Sequence, residues 1–482
     1  MSPTDFNDLH AAEGLKQVAK LVQAAAVEGP DEEDLPLLAP PSMPREAFPE
    51  LVRAIVDAAC TTSEAHPVAV AANVLTLFCA AIGRVPYQRI GDAVIHARPF
   101  ALIVGKSGKA RKGTSEHTAR EIFRRAFKLR TKNAPALRIH AGGLSTGEGI
   151  GYAIRDPKEP DEKTGKGADG GVKDKRLLVI EPEFANVLAQ LKRDGNTLSA
   201  TIRNLFDGRD IEPLTKTSQV TATRPHVVIT GHITAHELRE KSTTNDAVNG
   251  LLNRFMVLHV YRPRLVPLPK PTDEAVLDGL AQKVADAIEY ATGGDPLGEQ
   301  SREVILTPEA ERAWCEIYPQ VTRDREGLAG SLMARSEMYC RLLAMVFALM
   351  DARSEIEPAD LVQAVAWIEY WQQSVSYVFM TAEPEHELDT FETEVLMLIR
   401  ARPGLKLSEV QDHWSRQKQD EVKAALTRLL ELAPPLVEMQ IDKPSRGRPA
   451  QRYFPASAHE SDKSEKSQIT NEKMGEKRVR KG

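Results

Sequence analysis

The 482 residues carry 63 Lys and Arg against 68 Asp and Glu, a formal charge of -5, with 42% hydrophobic, 27% charged and only 5% aromatic residues. A chain of this length and balance predicts a soluble globular protein of two to four domains. The charge excludes a histone-like surface that is basic all over, and the scarcity of rings argues against capture of single strands on stacked aromatics, so any nucleic-acid contact has to come from local patches.

Residues 1–47 read as a short helix followed by a linker rich in acid and proline, with Pro40, Pro41 and Pro44 close together. Residues 1–10 lack a basic stretch followed by an apolar run, so no secretory signal is expected. The most apolar stretch, residues 342–350, falls far short of the roughly 20 residues a bilayer requires. Cys60, Cys79, Cys315 and Cys340 stand singly in helix-patterned stretches, without disulfide or zinc spacing, which reads as buried reduced thiols in a cytoplasmic protein. No membrane association is expected.

Residues 48–93 are expected to be helical, since Leu51, Ile55 and Ala59, then Val70, Val74, Leu77 and Ala81, recur at helical spacing. From residue 94 to 268 short β-rich runs alternate with helical ones, the signature of a parallel sheet covered on both faces. The expected strands are 100–104, 177–180, 226–230 and 255–260.

The first strand leads into Gly105, Gly108, Lys109, Arg111, Lys112, Gly113, Thr114 and Ser115, and then into a helical run through Ala119, Ile122, Phe123 and Ala126. Strand, glycine loop and helix start, in that order, aim backbone N–H groups and a helix N-terminus at an anion. The loop departs from G-x-x-x-x-G-K-[ST], because Arg111 precedes Lys112 and Gly113 separates that lysine from Thr114. Lys112 is the expected phosphate lysine, with Lys109 as the competing choice, and Thr114 or Ser115 the expected magnesium hydroxyl. The pattern thus calls for ATP and Mg²⁺.

Two further segments carry acids. Gly142, Gly143, Gly147 and Gly149 surround Glu148, which reads either as a base that orients water or as a helix-capping acid. The strand at 177–180 runs into Glu181 and Glu183, which resembles a Walker B strand: one acid, with Glu181 the choice, holds Mg²⁺ while the other orients the attacking water. Helix capping is the alternative for both. Thr230 and His232, at the end of the next apolar run, are candidate γ-phosphate sensors; His226, His232 and His236 lack the cysteine or acid that would complete a tetrahedral zinc set. Arg254, just before the last strand, reads as an arginine finger or as a structural ion-pair partner.

Residues 269–384 are expected to form a helical bundle, marked by Leu328, Leu332, Leu342, Leu343, Val346, Leu349, Val362, Val365 and Trp367. Residues 385–455 read as three helices and a hairpin and resemble a winged helix. There Lys423 and Arg428 on the third helix, and Lys443, Arg446 and Arg448 at the hairpin tip, are the candidate DNA contacts, with protein docking as the alternative use. The lysine-rich residues 456–482 read as a disordered basic tail.

The strings at 110–115, 181–185, 195–199, 231–234 and 253–255 together resemble the P-loop ATPase family known as domain of unknown function 3987, over roughly residues 45–380. The resemblance implies an α/β fold with a P-loop NTPase (RecA/AAA-like) parallel-sheet core, flanked here by helical regions and a C-terminal winged helix. Members are common on prophages and plasmids and look similar to replicative helicases or primase-helicases. What it implies functionally is ATP hydrolysis coupled to DNA in a homo-oligomer such as a hexameric ring, alongside replication or defence proteins. A nucleotide-gated DNA-binding regulator without unwinding activity is the rival reading.

Overall fold

The protein is represented by a computed structural model that describes residues 39–106, 114–130, 135–160, 167–191, 193, 195–213, 220–242, 250–298, 300–323, 327–380, 390–414, 418–431, 437–442 and 450–455. They fall in two compact units, one within Leu38–Met380 and one within Thr381–Gly482. The residues expected to form the N-terminal helix and the basic tail lie outside the described residues. Among the described residues no helix is long and apolar enough to cross a membrane.

The larger unit begins with α1 (Glu50–Thr61), whose inward residues Leu51, Val52, Ile55, Val56 and Ala59 form one stripe. Helix α2 (Pro67–Ile82) is apolar on every side and buried from Val68 to Ile82, as a central helix must be. Proline stands at its first turn and the His66 ring accepts from the Val68 N–H at 3.3 Å, satisfying a donor that the helix itself leaves open. After α2 the expected helical pattern gives way to a hairpin of β1 (Pro86–Ile90) and β2 (Ala93–His96). The Gly91-Asp92 pair between two short β-favouring runs is a two-residue turn, and this local chemistry overrides the helical period of the preceding residues.

Five strands, β3 (Phe100–Val104), β4 (Ile139–Ala141), β5 (Arg176–Glu181), β6 (His226–Ile233) and β7 (Phe255–His259), build an all-parallel sheet in the order β4-β5-β6-β3-β7. The register pairs Ala101 with both Thr230 and Met256, and Ile180 with Thr230. All of β3, β5, β6 and β7 is buried, which is why these strands read as unbroken apolar runs.

Side chains of β6 identify what covers each face. Thr230 donates from its hydroxyl to Thr76 of α2 at 3.1 Å, and the His226 Nε2 lies 2.9 Å from the carbonyl of Cys79, so the even-numbered residues face α2. Gly231 faces the other way, where a Cβ would sit 2.5 Å from the ring of Phe184. A side chain there would force α5 (Phe184–Leu191) off the sheet. On the α2 side lie α3 (Thr114–Leu129) and α8 (Glu274–Thr292); on the α5 side lie α6 (Leu198–Asp207), α7 (Ala235–Ser242) and α12 (Pro358–Met380).

The helices α9 (Pro308–Val321), α10 (Gly327–Met333) and α11 (Ser336–Met350) complete the unit with α12. One hydrophobic cluster runs from Phe48 to Val378, so the segments expected as a helical region, a sheet domain and a helical bundle share a single core. The reason is coverage: a parallel sheet buries both faces, and helices before and after it in sequence supply the cover. Val362, one of the expected marks of the bundle, is instead 62% exposed. Of the cysteines, Cys79 and Cys340 are buried and Cys315 is exposed.

Tyr339 of α11 locks this helix to the sheet. Its buried hydroxyl accepts from the Phe100 N–H at 2.9 Å and lies 2.6 Å from the Arg254 carbonyl and 3.0 Å from that of Phe100. Burial pushes the phenol well above its usual range, so it stays protonated and able to donate. Tyr339→Phe is therefore expected to orphan at least one backbone donor and one acceptor in the core and to lower the unfolding free energy by roughly 2–4 kcal/mol. Urea denaturation checks this, and a change below about 0.5 kcal/mol would show that the hydroxyl is dispensable.

The smaller unit contains α13 (Thr390–Ala401), β8 (Leu405–Lys406), α14 (Leu407–Gln411), α15 (Gln419–Glu431), β9 (Val437–Asp442) and β10 (Ala450–Pro455). Its strands form an antiparallel sheet in the order β8-β10-β9. Val395 and Ile399 of α13, Val410 of α14, Val422, Leu426 and Leu429 of α15, and Val437 and Tyr453 of the hairpin close its own core.

Candidate functional site

The topology picks out one crevice. From β3 the chain crosses through α3 on the α2 face, whereas from β6 it crosses through α7 on the opposite face, although β3 and β6 are neighbours. Connections that leave adjacent strands in opposite directions open a cleft beyond their carboxyl ends, where ligands bind in open α/β sheets. Gly105, the first residue after β3, donates its N–H to the Ile233 carbonyl at 3.1 Å and so joins the start of the glycine loop to the end of β6.

Gly108, Lys109, Arg111, Lys112 and Gly113 lie outside the described residues, as does the side chain of Thr114, whose backbone begins α3. Ser115, in the first turn of α3, is 1% exposed, and its Oγ accepts from the Asn73 Nδ2 of α2 at 3.4 Å. Asn73 stands one turn before Thr76 and carried no motif of its own; only the packing of α2 under the sheet reveals it.

Glu181 ends β5, one strand beyond β6, and is 5% exposed. The Leu144 N–H donates to its Oε2 at 3.1 Å and the Glu183 N–H to its Oε1 at 3.4 Å. The glycine turn holds that geometry, because the Gly142 N–H donates to the Ile180 carbonyl at 2.7 Å and both Gly142 and Gly143 adopt positive φ. Glu183 is exposed and accepts from its own helix, the Asn186 Nδ2, at 2.8 Å. The two acids therefore part company: one is fixed at the strand end and the other faces solvent.

The remaining sequence candidates are dispersed. Glu148 is exposed in the first turn of α4 (Gly147–Ala153), where it accepts from the Thr197 hydroxyl at 3.0 Å. Thr230 sits three residues before the end of β6 and spends its hydroxyl on Thr76, away from the carboxyl edge. His232, paired with Ile103, is 5% exposed and one residue from that edge. Arg254 precedes β7 at the opposite, amino edge of the sheet; it is 8% exposed and pairs with Asp207 of α6 at 3.0 Å. Asp207 also faces Arg335 at 3.8 Å. Among the described residues no three or more of His, Cys, Asp and Glu converge as a metal group would require.

A second group at the carboxyl edge escaped the sequence reading. The Val260 N–H donates to the Val104 carbonyl at 2.7 Å, which sets His259 and Tyr261 beside the root of the glycine loop. His66 packs edge-on to Tyr261 at 4.8 Å, and His259 lies 4.3 Å from Tyr377. Burial holds His66 down to about 4 and His259 to about 3, the latter helped by His66 and by Lys106, so both rings are neutral near pH 7.

In the smaller unit Lys423 is exposed and pairs loosely with Asp420 at 3.6 Å, within its own helix. Arg428 ties α15 to Glu392 of α13 at 3.2 Å. Lys443, Arg446 and Arg448 lie outside the described residues. Compared with models of known protein families and with curated proteins, the chain matches none of them, so the family resemblance rests on its motifs alone.

Proposed function

We propose that the larger unit binds and hydrolyses ATP in the cleft between β3 and β6, as part of a DNA-associated motor of a mobile element. The observation that carries this is the coincidence of the topological switch point with the glycine loop, with one buried carboxylate a strand away at Glu181. The strand order, with the acid-bearing strand one removed from the loop-bearing strand, supports a RecA- or AAA-like P-loop core. Backbone amides of the loop and the N-terminus of the 16-residue α3 offer donors and a positive dipole end to phosphates. Lys112, or Lys109, supplies the neutralising charge.

The donor set suits magnesium, which takes hard oxygen ligands: a hydroxyl from Thr114 or from Ser115, which Asn73 holds, and the Glu181 carboxylate, which two amides orient. When bound, magnesium would neutralise charge on the β and γ phosphates. Glu181 presents its carboxylate at the carboxyl edge of the sheet, so the same residue can align the attacking water.

In the smaller unit the three helices and antiparallel hairpin support a winged helix, with Lys423 and the basic residues Lys443, Arg446 and Arg448 as phosphate contacts. Arg428 serves the fold through Glu392 and contributes less. The burial of Arg254 against Asp207 favours a second reading, a nucleotide-gated switch that turns over slowly. Under the first reading assembly into a ring has to free this arginine for a neighbour. ATP hydrolysis measured with and without single-stranded DNA, on the full chain and on Lys112→Ala, tests the proposal. DNA-stimulated turnover that the substitution abolishes is expected; equal turnover in both proteins would refute it.

A further inference from the structure

We propose that Tyr261 is the stacking platform for the base of the nucleotide, an inference that rests on the phosphate-binding reading of the adjacent loop. Tyr261 follows β7 directly, and β7 is hydrogen-bonded to the loop-bearing strand β3 along its whole length. Neighbouring strands lie about 4.8 Å apart. Tyr261 therefore follows the strand that flanks the loop root, on the side of β3 away from Glu181, which lies beyond β6.

The ring is open yet held. Tyr261 is 41% exposed, where few large aromatics among the described residues reach the surface. The segment after it is strapped to the turn between α1 and α2: Arg264 Nε donates to the Ser63 carbonyl at 3.3 Å, the Val266 N–H donates to Glu64 Oε1 at 3.0 Å, and Arg262 faces Glu64 at 3.8 Å. His66 supports the ring from one side at 4.8 Å, and the His259 ring lies 6.3 Å away. The Nδ1 of His259 is buried without a hydrogen-bond partner among the described residues. A platform fixed before binding loses little side-chain freedom when a base settles on it.

Stacking reads area rather than base identity, because every base presents a π-face. The platform accordingly accepts any nucleoside triphosphate and holds purines more tightly than pyrimidines. Tyr261→Ala removes the ring from an exposed position and leaves the core intact; Tyr261→Phe keeps the ring.

Calorimetric titration of the full chain, its Tyr261→Ala and Tyr261→Phe variants and Lys112→Ala, with a non-hydrolysable ATP analogue and with inorganic tripolyphosphate, separates base from phosphate. The expected result is nucleotide affinity lowered about ten-fold to a hundred-fold by Tyr261→Ala, unchanged by Tyr261→Phe, and tripolyphosphate affinity equal in these three proteins. Undiminished nucleotide affinity in Tyr261→Ala, with both ligands lost in Lys112→Ala, would overturn the platform and leave the loop reading standing. Failure of the unsubstituted chain to bind either ligand would overturn the loop reading and the platform together.

Discussion

Replacing Glu181 by glutamine is expected to lower ATP turnover by roughly a hundred-fold to ten-thousand-fold, the range for losing a positioned acid or base. The side chain is 5% exposed and its two oxygens accept from the amides of Leu144 and Glu183. Glutamine keeps the shape but not the charge, and its NH₂ group has to face one of those two amide donors. A modest loss of stability, about 1–3 kcal/mol, should accompany the loss of turnover. Nucleotide binding through the loop should persist. Glu183→Gln is the control: that carboxylate is exposed and bonded to Asn186, so its removal is expected to alter turnover only a few-fold. Single-turnover hydrolysis measures both. Wild-type rates in Glu181→Gln would remove this residue from the chemistry.

Acidification should unfold the larger unit well before its carboxylates titrate. Burial holds His66 down to about 4, His96 and His259 to about 3, and His226 well below its usual value, with Arg98 adding to the effect at His96 and His226. In the unfolded chain all four return to about 6.5. Between those values the unfolded state binds more protons than the folded one, so stability is full above about pH 6.5 and falls as the pH drops toward the folded values. At pH 5 each group costs roughly 2 kcal/mol, and four together rival the net stability of a domain. Thermal denaturation followed from pH 8 to pH 5 is expected to show a Tm nearly flat above 7 and dropping steeply below 6.5. His66→Asn keeps a capping side chain while removing one titrating group, and should make the drop shallower. A Tm equal at pH 7 and pH 5 would contradict the buried neutral histidines.

Much of the sheet was legible because its strands are buried on both faces and therefore read as unbroken apolar runs bounded by turn residues. The edge strand β4 was not, since Ile139, His140 and Ala141 are half-buried or exposed and carry no such run. The hairpin at residues 86–96 hid behind the periodicity of the helix before it. Helical segments on either side of the sheet were legible as helices, but nothing local in Phe78 or Trp367 says that both belong to one core.

The site divides in the same way. The positions of Glu181 and of Gly105 at strand ends were legible because each closes or follows an apolar run, and such ends define the carboxyl edge. Thr230 was misjudged by register alone: the strand continues to Ile233, so the hydroxyl points at α2 rather than into the cleft. Asn73, Asp207 and Tyr261 acquire meaning only from partners far away in sequence, at Ser115, Arg254 and His66. Spacing cannot reveal such pairs.

A crystal structure of the chain with magnesium and a non-hydrolysable ATP analogue decides whether nucleotide binds beyond β3 and β6. The triphosphate is expected to lie against the amides of residues 105–115, with Glu181 facing the γ-phosphate. Nucleotide bound elsewhere, or that crevice empty at saturating nucleotide, would contradict it.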